Sequence, residues 1–95
     1  MQKRTVAAGR PMGSTTFDAS IAEAFGDSVR EIRTAAGISQ EALAHAAGIE
    51  RSYMGKVERG QHLPSLVLVF KIARALNCKI VDLMASVEGK LNSAK

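Results

Sequence analysis

Three side chains that donate hydrogen bonds, Arg51, Ser52 and Lys56, lie close together in the middle of the sequence. Arg51 and Ser52 lie within the stretch LAHAAGIERSYMG, and Lys56 directly follows it. This stretch runs from residue 43 to residue 55 and contains Gly48 and Gly55. A guanidinium, an ammonium and a hydroxyl can bind groups that accept hydrogen bonds. Glycine is costly inside a helix, so the two glycines beside these donors require an explanation.

The other reactive residue types form no catalytic or metal-binding pattern. Cys78 is the only cysteine, which excludes an intramolecular disulfide and a zinc site built on cysteines. His45 and His62 have no catalytic partner in the sequence, and no paired acid and base, metal-ligand cluster or phosphate loop is present. We therefore predict a protein that is not an enzyme and uses no cofactor or metal, with Cys78 as a small buried apolar residue.

Length and composition predict one small domain with a cationic surface. The 95 residues are 46% hydrophobic but only 4% aromatic, without tryptophan, so the core must be mainly aliphatic. The net charge of +4 suits a nucleic acid partner, although many other proteins carry as much. There is no apolar run of about 20 residues and no evident secretory signal, so we expect a cytoplasmic protein without a membrane partner.

Residues 1–19 lack helical periodicity and are expected to form a flexible arm. Lys3, Arg4 and Arg10 make this segment basic. It is either a leader without a role or an arm that contacts phosphates or a minor groove.

A first helix is predicted from Ser20 to Ala36. Ser20 and Glu23 have the spacing of a capping box, and Gly37 suits the left-handed position that ends a helix. One apolar stripe follows at intervals of three and four residues: Ile21, Phe25, Val29, Ile32 and Ala36.

Two short helices, Gln40–Ala47 and Glu50–Arg59, follow and are joined at a sharp corner. Gly48 allows a backbone with positive φ at that corner, Ala44 allows close approach of the helices, and Ile49 fills the angle between them. The residues expected to face inward are Leu43, Ala44, Ala47, Met54 and Val57. This arrangement predicts a helix-turn-helix.

The two short helices share a longer pattern, Gln40-x-x-Leu43-Ala44-x-x-Ala47-Gly48-Ile49-x-x-x-x-Met54-x-x-Val57. This pattern resembles the lambda repressor/Cro-like family, also called the xenobiotic-response-element family. Similarity extends from about Phe25 to Met84. The resemblance implies an all-α, compact five-helix DNA-binding domain, here at residues 20–88.

Two more helices complete the predicted domain. Pro64 and Ser65 open the fourth, whose expected inner side consists of Leu66, Val69, Phe70, Ala73 and Leu76. Asn77 stands where the family usually has glycine. The fifth helix is predicted at about Ile80–Val87, and residues 89–95 are expected to be a frayed tail.

The resemblance implies that the second helix of the motif enters the major groove of DNA. The groove-facing positions would be Arg51, Ser52 and Lys56, with Glu50 and Gly55 beside them. Arg51 could grip guanine O6 and N7, whereas Lys56 could reach a guanine or a phosphate, and Ser52 discriminates poorly.

Two of these positions allow alternative interpretations. Gly55 either admits the groove floor or a thymine methyl, or is a tolerated surface glycine. Glu50 either accepts from a cytosine amino group or orients Arg51.

The resemblance also implies phosphate contacts and one structural ion pair. Gln40, assisted by Ser39, would clamp a phosphate at the start of a helix. Tyr53 and Arg59 would lie near the far strand, although the Tyr53 ring could instead pack on the third helix. Arg33 and Glu58 would tie the first helix to the third, as the family pairs these positions.

A homodimer is expected because one such motif reads too short a site. The segment LVLVF, residues 66–70, is apolar nearly all round. The proposed interface residues are Val67, Leu68, Ile80, Met84 and Val87. Extra packing within the chain beneath the arm is the alternative.

These features favour a transcriptional regulator that binds palindromic double-stranded DNA. The small size and the segment RSYMGKVERG also resemble controller proteins of restriction-modification systems and small phage or plasmid repressors. The alternative is an antitoxin or another protein-interaction module with a secondary DNA-binding role. Neither tail is hydrophobic enough to favour that alternative.

Overall fold

The structure, a computed structural model, describes residues 18–93, so nearly all of the predicted N-terminal arm lies outside the described range. The helices are α1 Ala19–Ala35, α2 Gln40–Ala47, α3 Arg51–Glu58, α4 Leu66–Ala75 and α5 Ile80–Ser93. Residues 18–93 contain no strand, and the predicted five-helix, all-α fold is confirmed. No helix in this range has the length and apolar character needed to cross a membrane.

The helices enclose one core made mainly of aliphatic side chains. Helix α1 packs against α3 and α5, and α2 packs against α3 and α4. The largest fully buried side chains are Leu43, Met54, Ile72, Leu83, Val29 and Val57. Since these residues come from all five helices, every helix is held by a shared hydrophobic contact rather than by its own propensity.

Helix α1 begins before the position that the sequence predicts. The Asp18 side chain accepts a hydrogen bond from the backbone N–H of Ile21, 3.2 Å away, and Ser20 lies inside the helix. The predicted capping box at Ser20 is therefore wrong. Aspartate is as good an N-cap as serine, and its charge also favours the positive end of the helix dipole.

Helix α1 crosses α3 at Gly26, which is buried. A Cβ added to Gly26 would lie 2.6 Å from the backbone oxygen of Glu58. The two backbones therefore approach more closely than any side chain allows. This contact holds the base of α3 firmly against the longest helix of the fold.

Helix α4 is rotated relative to the inner face that the sequence predicts. Leu66 and Phe70 are exposed, and the buried residues are Val69, Ile72, Ala73 and Leu76. Because LVLVF is apolar nearly all round, its periodicity does not distinguish two neighbouring stripes. The placement of Leu66 and Phe70 in the core was wrong.

Helix α5 continues to Ser93, well past the predicted boundary at Val87. Lys90 donates a 2.7 Å hydrogen bond to a carboxylate oxygen of Glu31 on α1, and Leu91 packs against the core. The expectation of a frayed tail from residue 89 is therefore wrong as far as Ser93.

Asn77 lies in the turn between α4 and α5. Its φ of 56° is in the left-handed region that the sequence predicts.

Candidate nucleic-acid interface

The corner between α2 and α3 follows from three local features of the sequence. Ser39 caps α2 by accepting a hydrogen bond from the N–H of Ala42 at 3.0 Å. Gly48 ends α2 with a φ of 76°, and the N–H of Ile49 donates to the carbonyl of Ala44 at 2.9 Å. The Ile49 side chain then packs against the core. The two helices are thus fixed at a short, rigid turn.

Helix α3 presents different chemistry on its two sides. Met54 and Val57 are fully buried against the other helices. Arg51, Ser52 and Lys56 are exposed. The buried side holds the helix in place, so the exposed donors occupy a preorganised surface. Such a helix has the shape and donor groups that a major groove accepts.

A buried ion pair anchors α3 to α1. Arg33 Nε donates to Glu58 Oε2 at 2.7 Å, and Arg33 Nη2 donates to Glu58 Oε1 at 3.0 Å. Arg33 Nη1 also donates to the carbonyl of Ile38 at 2.9 Å. Only 3% of the Glu58 side chain is exposed, so its charge depends on these donors. The structure thus brings together the two residues that the resemblance pairs.

Gln40 connects this ion pair to the exposed side of α3. Its amide nitrogen donates to Glu58 Oε1 at 3.0 Å, and its amide oxygen accepts from Arg51 Nη1 at 3.4 Å. The donor end of the amide is set by the carboxylate, which leaves the oxygen facing the guanidinium. The sequence indicated Gln40 only as a phosphate clamp. Its link to Glu58 and Arg51 depends on how two helices, α2 and α3, pack together, and no spacing in the chain signals it.

Gly55 is buried rather than exposed. A Cβ added there would lie 3.0 Å from Arg59 Nη1 and 3.5 Å from Gln40 Oε1. The interpretation of Gly55 as a tolerated surface glycine is therefore wrong. A direct contact between Gly55 and a base remains a prediction, since it requires the ends of Arg59 and Gln40 to move aside.

The remaining predicted DNA contacts surround α3. Glu50 is exposed at the N-cap of α3, and its side chain forms no capping hydrogen bond within the described range. Arg59 is exposed, and its Nη2 donates to Gln61 Oε1 at 3.4 Å. The Tyr53 ring packs partly against the core and lies 5.0 Å from the His62 ring, centroid to centroid. The Tyr53 ring thus contacts the core and His62, and a contact between its hydroxyl and a phosphate stays a prediction.

The residues predicted to form a dimer interface differ in exposure. Val67 is 66% exposed and Met84 is 37% exposed, whereas Leu68 and Ile80 are half-buried. Val87 is only 7% exposed and belongs to the core of its own chain, so its assignment to the interface is corrected. Sequence reasoning missed three exposed apolar side chains on α4 and α5, namely Leu66, Phe70 and Val81.

No group of three or more histidine, cysteine, aspartate or glutamate side chains comes together to hold a metal ion among residues 18–93. Cys78 is half-buried and not disulfide-bonded. Its Sγ lies 3.4 Å from the carbonyl oxygen of Lys79.

Comparison with known proteins assigns the class. A family model described as helix-turn-helix matches residues 29–83. A transcriptional regulator of the helix-turn-helix type from Archaeoglobus fulgidus is 44% identical over 55 residues, which are 58% of this chain and 79% of that protein. The chain therefore belongs to the helix-turn-helix family, in its Cro/CI-like branch, as the sequence resemblance implies.

Two further relatives are control proteins. The restriction-modification controller protein C.AhdI from Aeromonas hydrophila has a crystal structure with a TM-score of 0.63 and 50% identity, covering 65% of this chain and 94% of that one. Control protein C.SmaI of Serratia marcescens is 36% identical over 64 residues, 67% of this chain and 76% of that protein. The protein is a transcriptional regulator with a helix-turn-helix DNA-binding motif. The relatives named here are regulators rather than enzymes.

Proposed function

We propose that this regulator binds palindromic operator DNA as a homodimer, with α3 of each protomer in a major groove. The observation that carries the proposal is the separation of the two sides of α3. Met54 and Val57 are fully buried, whereas Arg51, Ser52 and Lys56 stay exposed on a helix that the core holds rigidly. A rigid helix with exposed donors at its N-terminal end suits recognition of base edges.

Arg51 is the proposed principal reader of sequence. Its guanidinium has the planar fork that matches guanine O6 and N7, and its contact with the Gln40 oxygen limits its orientation. Lys56 on α3 and Ser39 at the N-cap of α2 are candidates for phosphate contacts, which would position the helix without reading the bases. The N–H groups at the start of α2 provide a further site for a phosphate.

The similarity to control proteins supports a more specific role. Since the chain is 50% identical to C.AhdI over most of that protein, we propose that it too is a controller protein of a restriction-modification system. That role predicts control of transcription by the occupancy of operator sites, in agreement with the small helical domain of this chain.

Selection of bound sites from random duplex DNA, followed by titration with salt, tests the proposal. We expect selected sites with two-fold symmetry, and an affinity that falls steeply as salt rises because phosphate contacts release counterions. Arg51→Ala should relax base preference at one position in each half-site, at a cost of about 1–3 kcal/mol.

Arg30→Ala is the matched control, because Arg30 is an exposed arginine on α1 that pairs only with its helix neighbour Asp27 among the described residues. It removes the same charge and should leave base preference unchanged. Failure of the wild-type protein to enrich any sequence at low salt would exclude the proposed function.

A further inference from the structure

Arg51, Gly55 and Arg59 occupy one row along α3, since each lies four residues after the previous one. Helical side chains point back toward the N-terminus of their helix, so Arg59 at the C-cap extends over the preceding turn. That turn contains Gly55. The Arg59 guanidinium accordingly lies over the centre of α3 rather than beyond its end.

The missing side chain of Gly55 provides the space for this position. Arg59 Nη1 lies 3.0 Å from the point that a Gly55 Cβ would occupy, closer than an ordinary van der Waals contact. The same point is 3.5 Å from Gln40 Oε1. At the other end of the guanidinium, Arg59 Nη2 donates to Gln61 Oε1 at 3.4 Å. The guanidinium of Arg59 therefore lies close to the backbone of α3 at Gly55, with a hydrogen bond to Gln61 at its other end.

The guanidinium groups of Arg51 and Arg59 both lie near the Gln40 amide and Gly55. Arg51 Nη1 donates to Gln40 Oε1 at 3.4 Å, and Arg59 Nη1 and Gln40 Oε1 lie 3.0 and 3.5 Å from the same point beside Gly55. Two cations held on one row repel each other, and the repulsion falls when a surface rich in acceptors covers them. Guanine presents two such acceptors, O6 and N7, in the major groove.

We propose that the missing side chain of Gly55 lets the Arg59 guanidinium lie close to the backbone of α3. We propose further that this position makes Arg59 a second base-reading residue beside Arg51. This inference rests on the proposed function. It differs from the assignment of Arg59 to the DNA backbone, which would require only a positive charge near a phosphate. A planar fork that lies over Gly55, on the same row of α3 as Arg51, would instead contact base edges at a base pair next to the one that Arg51 reads.

The test measures base preference at every operator position, using the DNA site selected by the wild-type protein and the single-base variants of that site. The proteins compared are the wild type, Arg59→Ala, Arg59→Lys and Gly55→Ala. Arg59→Ala should relax preference at one position per half-site, adjacent to that relaxed by Arg51→Ala. The loss of discrimination there should be between about fivefold and about 150-fold. Arg59→Lys should give the same relaxation, because lysine keeps the charge but lacks the planar fork.

Gly55→Ala should reduce base preference at the same position by a smaller factor. Adding Gly55→Ala to Arg59→Ala should have no further effect on base preference, because the two changes act on one contact. Gly89→Ala is the matched glycine control. It too lies inside a helix, but an added Cβ there meets nothing within 4 Å. Circular dichroism should show unchanged helix content in both glycine variants.

Two results would overturn the inference while leaving the proposed function intact. One is a uniform loss of affinity for all sequences with Arg59→Ala, with a smaller salt dependence, which indicates a phosphate contact. The other is wild-type base preference with Arg59→Lys. Absence of binding by the wild-type protein would instead refute the proposed function itself.

Discussion

At the scale of single residues, a polar network joins the fold to the surface proposed to bind DNA. Arg33 and Glu58 hold α1 and α3 together, and Gln40 extends the same hydrogen bonds to Arg51. The family resemblance implied the first pair from the identity of its residues. The orientation of the Gln40 amide could not be foreseen, because it depends on where a carboxylate 18 residues away lies in space.

Arg33→Ala should destabilise the protein strongly. The variant removes three hydrogen bonds and leaves the buried Glu58 carboxylate without its cation, so we expect a loss of about 3–5 kcal/mol in the free energy of unfolding. Urea denaturation monitored by circular dichroism measures it.

Arg30→Ala is the control for this prediction. The Arg30–Asp27 pair is 3.2 Å long with both side chains about half exposed, and exposed pairs contribute about 0–1 kcal/mol. An Arg33→Ala protein as stable as the Arg30→Ala protein would show that the buried pair does not hold α1 to α3.

At the scale of helices, the sequence predicted elements better than their ends and faces. Ser39, Gly48 and Ser65 mark helix ends by local chemistry, and the structure places α2 at the predicted Gln40–Ala47. The start of α1 was missed because two adequate caps, Asp18 and Ser20, compete within three residues. The buried face of α4 was partly missed because an all-apolar segment carries no signal of direction.

Gly26→Ala should weaken the crossing of α1 and α3. Its Cβ would meet the Glu58 carbonyl, a backbone group that cannot swing away, so the helices must separate. We expect a loss of about 1–3 kcal/mol, as for other overpacked sites, despite the better helix propensity of alanine. Thermal and urea unfolding measure this loss.

Gly89→Ala is again the matched substitution, because it gains the same helix propensity in open space. It should stabilise the protein by about 0.5–1 kcal/mol. Equal stabilisation by both substitutions would mean that α1 and α3 are not in tight contact at Gly26.

At the scale of the whole molecule, exposed apolar side chains on α4 and α5 support the proposed dimer. Leu66 is 71% exposed, Val67 66% and Val81 63%, although burial of such side chains is favourable. The sequence indicated this region through the apolar segment LVLVF. The sequence alone does not show that Val87 lies in the core and Val81 at the surface, since the exposure of each side chain depends on the rotation of α5 against α1.

Val67→Glu should yield folded monomers. A carboxylate placed in an apolar interface would be desolvated without a partner, so the dimer should dissociate at concentrations where the wild type is dimeric. Light scattering coupled to size-exclusion chromatography measures the mass. Ile21→Glu, an exposed apolar position on α1, is the control and should remain dimeric. A Val67→Glu protein that is still dimeric would place the interface elsewhere.

Methylation protection of the selected operator tests the central claim most directly, because dimethyl sulfate modifies guanine N7 in the major groove and adenine N3 in the minor groove. Wild-type protein should protect guanine N7 at two sites separated by about 34 Å, one helical turn of DNA. Arg51→Ala should restore methylation at one guanine in each half-site. Protection of adenine N3 alone, with every guanine N7 still reactive in the bound complex, would contradict the placement of α3 in the major groove.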